Sequence, residues 1–195
     1  MYVEGRGYLP GKLVVVSGPS GSGKSTLIRL ALERLGSAAR LSVSATTRPP
    51  REGERDGVDY FFTDKADFIA RSDRDYLEWA EYNGHYYGTP AAPVYDVLAL
   101  GGCVLLEIEV QGALQIRRVA PEALFVFVKA PDFAELARRL RARGTEPDPV
   151  VLRRLRIARE ELAEAHWYDA QIINDDLDSS VEEFTALLKS YGCGG

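Results

Sequence analysis

The stretch "GPSGSGKST" runs from Gly18 to Thr26, directly after the apolar run Leu13-Val14-Val15-Val16. A β-branched run that stops at Ser17-Gly18 reads as a buried strand. Beyond the glycines, Leu27, Ile28, Leu30, Ala31, Leu32 and Leu35 recur at helical spacing, and Gly36 closes the run. Strand, glycine-rich turn and helix, in that order, are the setting in which Gly18-x-x-x-x-Gly23-Lys24-Ser25 is a phosphate-binding loop, the P-loop. Backbone N–H groups surround a phosphate only where side chains stay out of the way. Gly18, Pro19, Ser20, Gly21, Ser22 and Gly23 meet that demand, and the helix N-terminus that follows adds partial positive charge. Lys24 is placed to reach the β and γ oxygens, Ser25 to offer its hydroxyl to Mg²⁺, and Thr26 lies beside them in the first turn. The pattern implies a nucleoside triphosphate with Mg²⁺.

Outward from this loop, Val104-Leu105-Leu106, Leu124–Val128 and Ile172-Ile173 are further apolar runs of strand length. Helical patterns at about 93–100, 112–119, 132–143, 149–167 and 179–190 separate them. The alternation predicts an α/β fold with a parallel sheet covered by helices on both faces. Residues 42–89 break the pattern. They are rich in Arg, Tyr, Gly and Pro, with one short helical stretch near 65–71, and read as an inserted lobe with a small mixed or antiparallel sheet. The break at Gly144, Thr145, Pro147 and Pro149 predicts a second protrusion, within about 138–159. The expected organisation is one domain over 1–195, with a core at about 11–41, 90–137 and 160–190.

Composition narrows the function classes. The chain has 195 residues, 46% hydrophobic and 27% charged, with net charge -5. That balance suits a folded domain and argues against a nucleic-acid or anionic-membrane binder. No apolar stretch approaches the roughly 20 residues that span a bilayer. "MYVEGRGYLPGK" places Gly and charge where a secretion signal needs an apolar segment, so a cytoplasmic location is expected. Cys103 and Cys193 show no metal-ligand spacing. Cys103 reads as a small buried residue at a strand start, Cys193 as a thiol on a frayed tail. His85 and His166 read as polar-surface residues.

The lobe carries the acceptor chemistry. In "SVSATTRPPREGERDGVDYFF" (Ser42–Phe62), Arg48 and Arg51 flank Pro49-Pro50. A polyproline step repeats every three residues, so the two guanidinium groups point one way, roughly 9 Å apart, a spacing suited to a dianionic phosphate. A solvated basic loop has the same spacing. In "LEWAEYNGHYYGTP" (Leu77–Pro90), Glu78 lies between Leu77 and Trp79 near a cluster of tyrosines. Guanine offers N1–H and N2–H₂ as adjacent donors and O6 as an acceptor. Glu78 with Ser44 and Thr89 matches that pattern, and adenine would leave the carboxylate unpaired.

With these residues in place, the chain resembles the guanylate kinases, ATP:GMP phosphotransferases. The resemblance runs nearly end to end, through "VVVSGPSGSGKSTL", "SVSATTRPPREGERDGVDYFF", "EWAEYNGHYYGT", "LEIEVQGA", "RRLRARGTE" and "IINDDLD". It implies ATP on Gly18–Thr26 with Asn174 near the adenine. It implies guanine on Ser44, Glu78 and Thr89, and the GMP phosphate on Arg48, Arg51, Tyr60 and Tyr87. Arg139, Arg143 and Arg154 match the arginines of the helical lid, which swing over the phosphoryl group. Glu107 and Glu109 stand where the family usually has Asp-x-Asp. The match gives Glu107 to Mg²⁺ beside Ser25 and Glu109 to GMP. The transfer would use Lys24, Arg48 and the lid arginines as charge neutralisers. It needs no general base, because the acceptor is already an anionic oxygen. The expected partners are the small molecules ATP and GMP. A monomer and a homo-oligomer fit the sequence equally. Two rivals remain at this point: a protein-binding relative of the family, and a kinase for another small phosphate.

Overall fold

The computed structural model describes residues 1–3, 5–82, 84–142 and 148–194. A five-stranded parallel sheet forms the core. In chain order its strands are β3 (Lys12–Ser17), β4 (Ala39–Leu41), β9 (Cys103–Glu107), β10 (Leu124–Lys129) and β11 (Ala170–Ile173). They lie side by side as β11-β10-β3-β9-β4. β3 is central, and its neighbours β9 and β10 lie on opposite sides of it. The chain order reverses there, and in open α/β sheets such a crevice at the carboxyl ends of the strands is where ligands bind.

Successive strand side chains point to opposite faces, and both faces are buried, which explains why β3 is continuously apolar. Leu13 and Val15 pack with Val104, Leu106, Phe125 and Phe127 on one face. Helices α3 (Ala91–Ala99) and α4 (Val110–Val119) cover that face. Val14 and Val16 pack with Leu105, Val126 and Val128 on the other. Helices α1 (Lys24–Leu35) and α7 (Leu177–Tyr191) cover it. The remaining helices are α5 (Phe133–Ala142) and α6 (Asp148–Ala163), and the residues between them, where the second protrusion is expected, lie outside the described residues.

The inserted lobe holds β5 (Ala45–Thr46), β6 (Phe61–Phe62), α2 (Lys65–Asp75), β7 (Tyr76–Tyr82) and β8 (His85–Pro90). Its sheet runs β6-β5-β8-β7 and is mixed: β5 and β6 are parallel, the other pairs antiparallel. Phe68 of α2 is fully buried and stacks on Tyr76 at 4.6 Å and Tyr86 at 5.6 Å between ring centroids. Asp64 caps α2 by accepting the Asp67 N–H.

Two features add to the expected organisation, and a third corrects it. Ala39–Leu41 adds a fifth strand to the core sheet. Near the N-terminus β1 (Tyr2–Val3) pairs antiparallel with β2 (Gly7–Tyr8); Val3 joins the core and the terminal amine donates to the Leu9 carbonyl at 2.7 Å. Cys103 is buried at the start of β9 as expected, but the Cys193 reading is overturned: it is fully buried and forms a disulfide with Cys103. Cys103 opens β9, and the turn after α7 folds back beneath that strand. The tail is therefore stapled to the sheet rather than frayed.

Candidate active site

Gly18 and Gly23 show why the loop is glycine at these positions. A Cβ on Gly18 would stand 2.0 Å from the Val128 carbonyl oxygen, so β10 closes on the loop too tightly for any side chain. Gly23 has φ 85°, in the left-handed region, and a Cβ there would meet Asn174 Nδ2 at 2.2 Å. Asn174 itself is buried, and its amide donates to the Ser22 carbonyl at 2.8 Å. It braces the loop from behind. Helix α1 begins at Lys24 with no acidic residue in its first turn, which leaves its positive end open to an anion.

At the carboxyl end of β9, Glu107 Oε1 accepts the Ser25 hydroxyl at 2.5 Å and lies 3.3 Å from Lys24 Nζ. Burial alone would lower the Lys24 pKa, but the Glu107 and Glu109 carboxylates outweigh it, and the net shift is upward. The ammonium stays charged. Ser25 and Glu107 supply two hard oxygen donors. Mg²⁺ is typically held by one or two carboxylates and the substrate's phosphates rather than by a full protein cage. No cluster of three or more His, Cys, Asp or Glu side chains able to hold a metal occurs among the described residues.

Across the cleft, the β7–β8 pairing slips by one residue between Tyr76 and Trp79. The slip sets Glu78 against Thr89, whose hydroxyl donates to Glu78 Oε1 at 2.7 Å. Glu78 is only 4% exposed. Burial pushes its carboxyl up to about 7, opposed by the hydrogen bonds from Thr89 and aided by the Glu109 charge. The Arg48 guanidinium forks onto Glu54, with Nη1 and Nη2 donating at 2.9 and 2.8 Å, and lies 5.3 Å from the Tyr60 ring. Glu54 also accepts the Arg51 backbone N–H at 2.7 Å. One acid thus fixes both ends of the Arg-Pro-Pro-Arg turn. The Arg48 contact holds its carboxyl below the usual range.

One cavity of about 300 Å³ joins these two sides. Pro19 to Thr26, Glu107 and Glu109 line it from the core. Ser44, Arg48, Arg51, Tyr60, Glu78 and Tyr87 line it from the lobe, and Arg154 from α6. Gly18, Thr89, Asn174 and Arg139 stand outside its lining. Thr89 lies behind Glu78. Arg139 is turned to Glu135 on its own helix at 2.6 Å. Arg143 lies outside the described residues.

Four residues escaped the sequence reading. Glu54 occupies the third position after Arg51, a turn spacing that its neighbours' charges obscured. Glu161 of α6 is 8% exposed and hydrogen-bonds to Glu109, and burial together with that carboxylate raises its pKa. Gly112 and Gln115 of α4 touch β7, a contact with no local signal.

Comparison with known proteins agrees with this geometry. The sequence profile described as "Guanylate kinase" matches residues 10–191. A guanylate kinase of Rubrobacter xylanophilus is 49% identical over 187 residues, covering 95% of this chain and 97% of the relative. One of Gloeobacter violaceus is 52% identical over 180 residues, covering 91% and 86%. The crystal structure of guanylate kinase from Anaplasma phagocytophilum superposes with a TM-score of 0.77 at 29% identity, covering 100% of this chain and 90% of that one. Matches of this extent, from the P-loop through the lobe to the last helix, place the chain in the guanylate kinase family.

Proposed function

We propose that the protein transfers the γ-phosphoryl group of ATP to GMP, giving ADP and GDP. The observation that carries this reading is the shared cleft: the P-loop and a lobe face bearing Glu78, Arg48 and Arg51 open into one cavity. In this reading the P-loop amides and Lys24 hold the triphosphate, and Asn174 keeps the loop in shape. Ser25 and Glu107 hold Mg²⁺, which when bound neutralises charge on the β and γ phosphates. Ser44, Glu78 and Thr89 read guanine. Arg48, Arg51, Tyr60 and Tyr87 grip the GMP phosphate, and Glu109 faces it.

The chemistry is an in-line exchange. A GMP phosphate oxygen bonds to the γ phosphorus as the bond to the β–γ bridging oxygen breaks, and ADP leaves. The attacking oxygen is already anionic, so no side chain has to remove a proton. Positive charge does the work, from Lys24 and Arg48 in the cleft and from Arg139, Arg143 and Arg154 as the lid closes. Closure would also exclude water and limit wasteful hydrolysis of ATP. No helix among the described residues is long and apolar enough to cross a membrane.

A coupled assay with ATP and GMP, AMP, CMP or UMP tests the reading. GMP should be phosphorylated at least 100-fold faster than the others, on the scale by which sites built around hydrogen-bonding groups reject analogues, about 10⁴. Equal rates with AMP and GMP would remove the base-reading argument.

A further inference from the structure

Helix α4 contains a glycine that its backbone does not need. Gly112 is the third residue of α4 and is not among the positive-φ glycines, so alanine would fit its conformation and is the better helix former. Space is what alanine lacks. A Cβ on Gly112 would stand 2.1 Å from Glu78 Oε2, 2.9 Å from its Cδ and 3.5 Å from its Cγ. The other carboxylate oxygen is held by Thr89, so the group is fixed on one side and abuts the bare Cα on the other.

One turn along the same helix, Gln115 reaches the same strand. Its Oε1 accepts the Trp79 N–H at 3.2 Å and its Nε2 donates to the Trp79 carbonyl at 2.7 Å. β7 is the last strand of the lobe sheet. The Gln115 amide therefore pairs with the edge as a neighbouring strand would. Trp79 directly follows Glu78, so this pair fixes the height of β7 against α4.

We propose that Gly112 and Gln115 are positioning residues. The first provides the slot for the Glu78 carboxylate and the second locks the strand that carries it. Together they set the preference for guanine over a purine without the 2-amino group. The proposal rests on the assignment of Glu78 to guanine. It also gives α4 a double duty, since the chain that enters the helix carries Glu107, assigned to the donor side, and Glu109, assigned to GMP.

The test compares kcat/KM for GMP and IMP, which lacks the 2-amino donor, in the wild type, Glu78→Gln, Gly112→Ala and Gln115→Leu. ATP affinity and melting temperature are measured beside them. Gly112→Ala is expected to cut the GMP-over-IMP preference about tenfold or more, chiefly through KM for GMP. ATP affinity should hold, and the variant should stay folded at the assay temperature with a melting temperature lowered by a few degrees at most. Adding Glu78→Asp, whose carboxylate is one methylene shorter, should restore part of the preference in the Gly112→Ala background. If Glu78→Gln loses the preference while Gly112→Ala keeps it within twofold, the slot is refuted and the base reading stands. If Glu78→Gln keeps it, both fall. Should Gly112→Ala not fold, Gln115→Leu carries the same comparison, and an unchanged preference there overturns the proposal.

Discussion

Lowering the pH from 8 to 6 should weaken GMP binding in a way that one carboxylate explains. Glu78 is buried, and its carboxyl titrates at about 7. Only the ionised form accepts both guanine donors. At pH 8 about nine-tenths of the sites are then ionised, and at pH 6 about one-tenth. Apparent affinity scales with the competent fraction, so the loss attributable to Glu78 is about tenfold. The GMP phosphate also titrates near 6, which adds a slope of its own. Glu78→Gln removes the carboxyl and keeps the phosphate, so the comparison isolates the residue. Calorimetric titration of GMP from pH 6 to 8 should show the wild type losing about ten times more affinity than Glu78→Gln. The fold should respond with the opposite preference. A carboxyl raised from 4.5 to about 7 binds its proton more tightly when folded than when unfolded, so its share of stability is lost as pH rises through that window. The full span is about 3 kcal/mol, and GMP should recover part of it at pH 8. Parallel pH slopes for the wild type and Glu78→Gln would refute the reasoning.

Other outcomes follow from the same geometry. Lys24→Ala should lower transfer by about 100-fold or more, with the melting temperature nearly unchanged, because it removes a charge from the reacting phosphates. Glu54→Ala should raise KM for GMP several-fold and leave ATP affinity alone, since it frees both ends of the turn that aims Arg48 and Arg51; unchanged steady-state constants would show that the turn holds without it. The Cys103–Cys193 bond closes a loop with sequence separation 90, which the chain-entropy relation values at up to about 4–5 kcal/mol. Cys193→Ser should then lower the melting temperature by about 10 °C by calorimetry, and a shift under 2 °C would show that the tail contributes little.

The parts of the fold with short-range causes were readable in the sequence. The β3–loop–α1 unit announces itself because its apolar run, glycines and helical spacing are contiguous. The lobe stands out because its composition breaks the strand–helix alternation. β4 was missed for a physical reason. It is three residues long with Arg40 at its centre, and it sits at the sheet edge with two residues exposed, so it leaves no periodic signature. The disulfide was missed because its cysteines are brought together only by the return of α7 under β9. In the site, Lys24, Ser25, Arg48 and Glu78 were legible because their chemistry is unusual for their positions. Gly112, Gln115 and Glu161 were not, because each acts on a residue that only the folded chain places beside it, and Glu54 was not, because the charges around it hide its turn spacing from Arg51.

In the proposed reaction two nucleotides share one cleft across β3 and the lobe. A bisubstrate analogue that joins adenosine to guanosine through five phosphates, titrated by calorimetry, tests this most directly. One molecule should bind per chain, more tightly than either ATP or GMP alone, more tightly than the adenosine–adenosine analogue, and in competition with both substrates. A stoichiometry of two, or no preference over the adenosine–adenosine analogue, would contradict it.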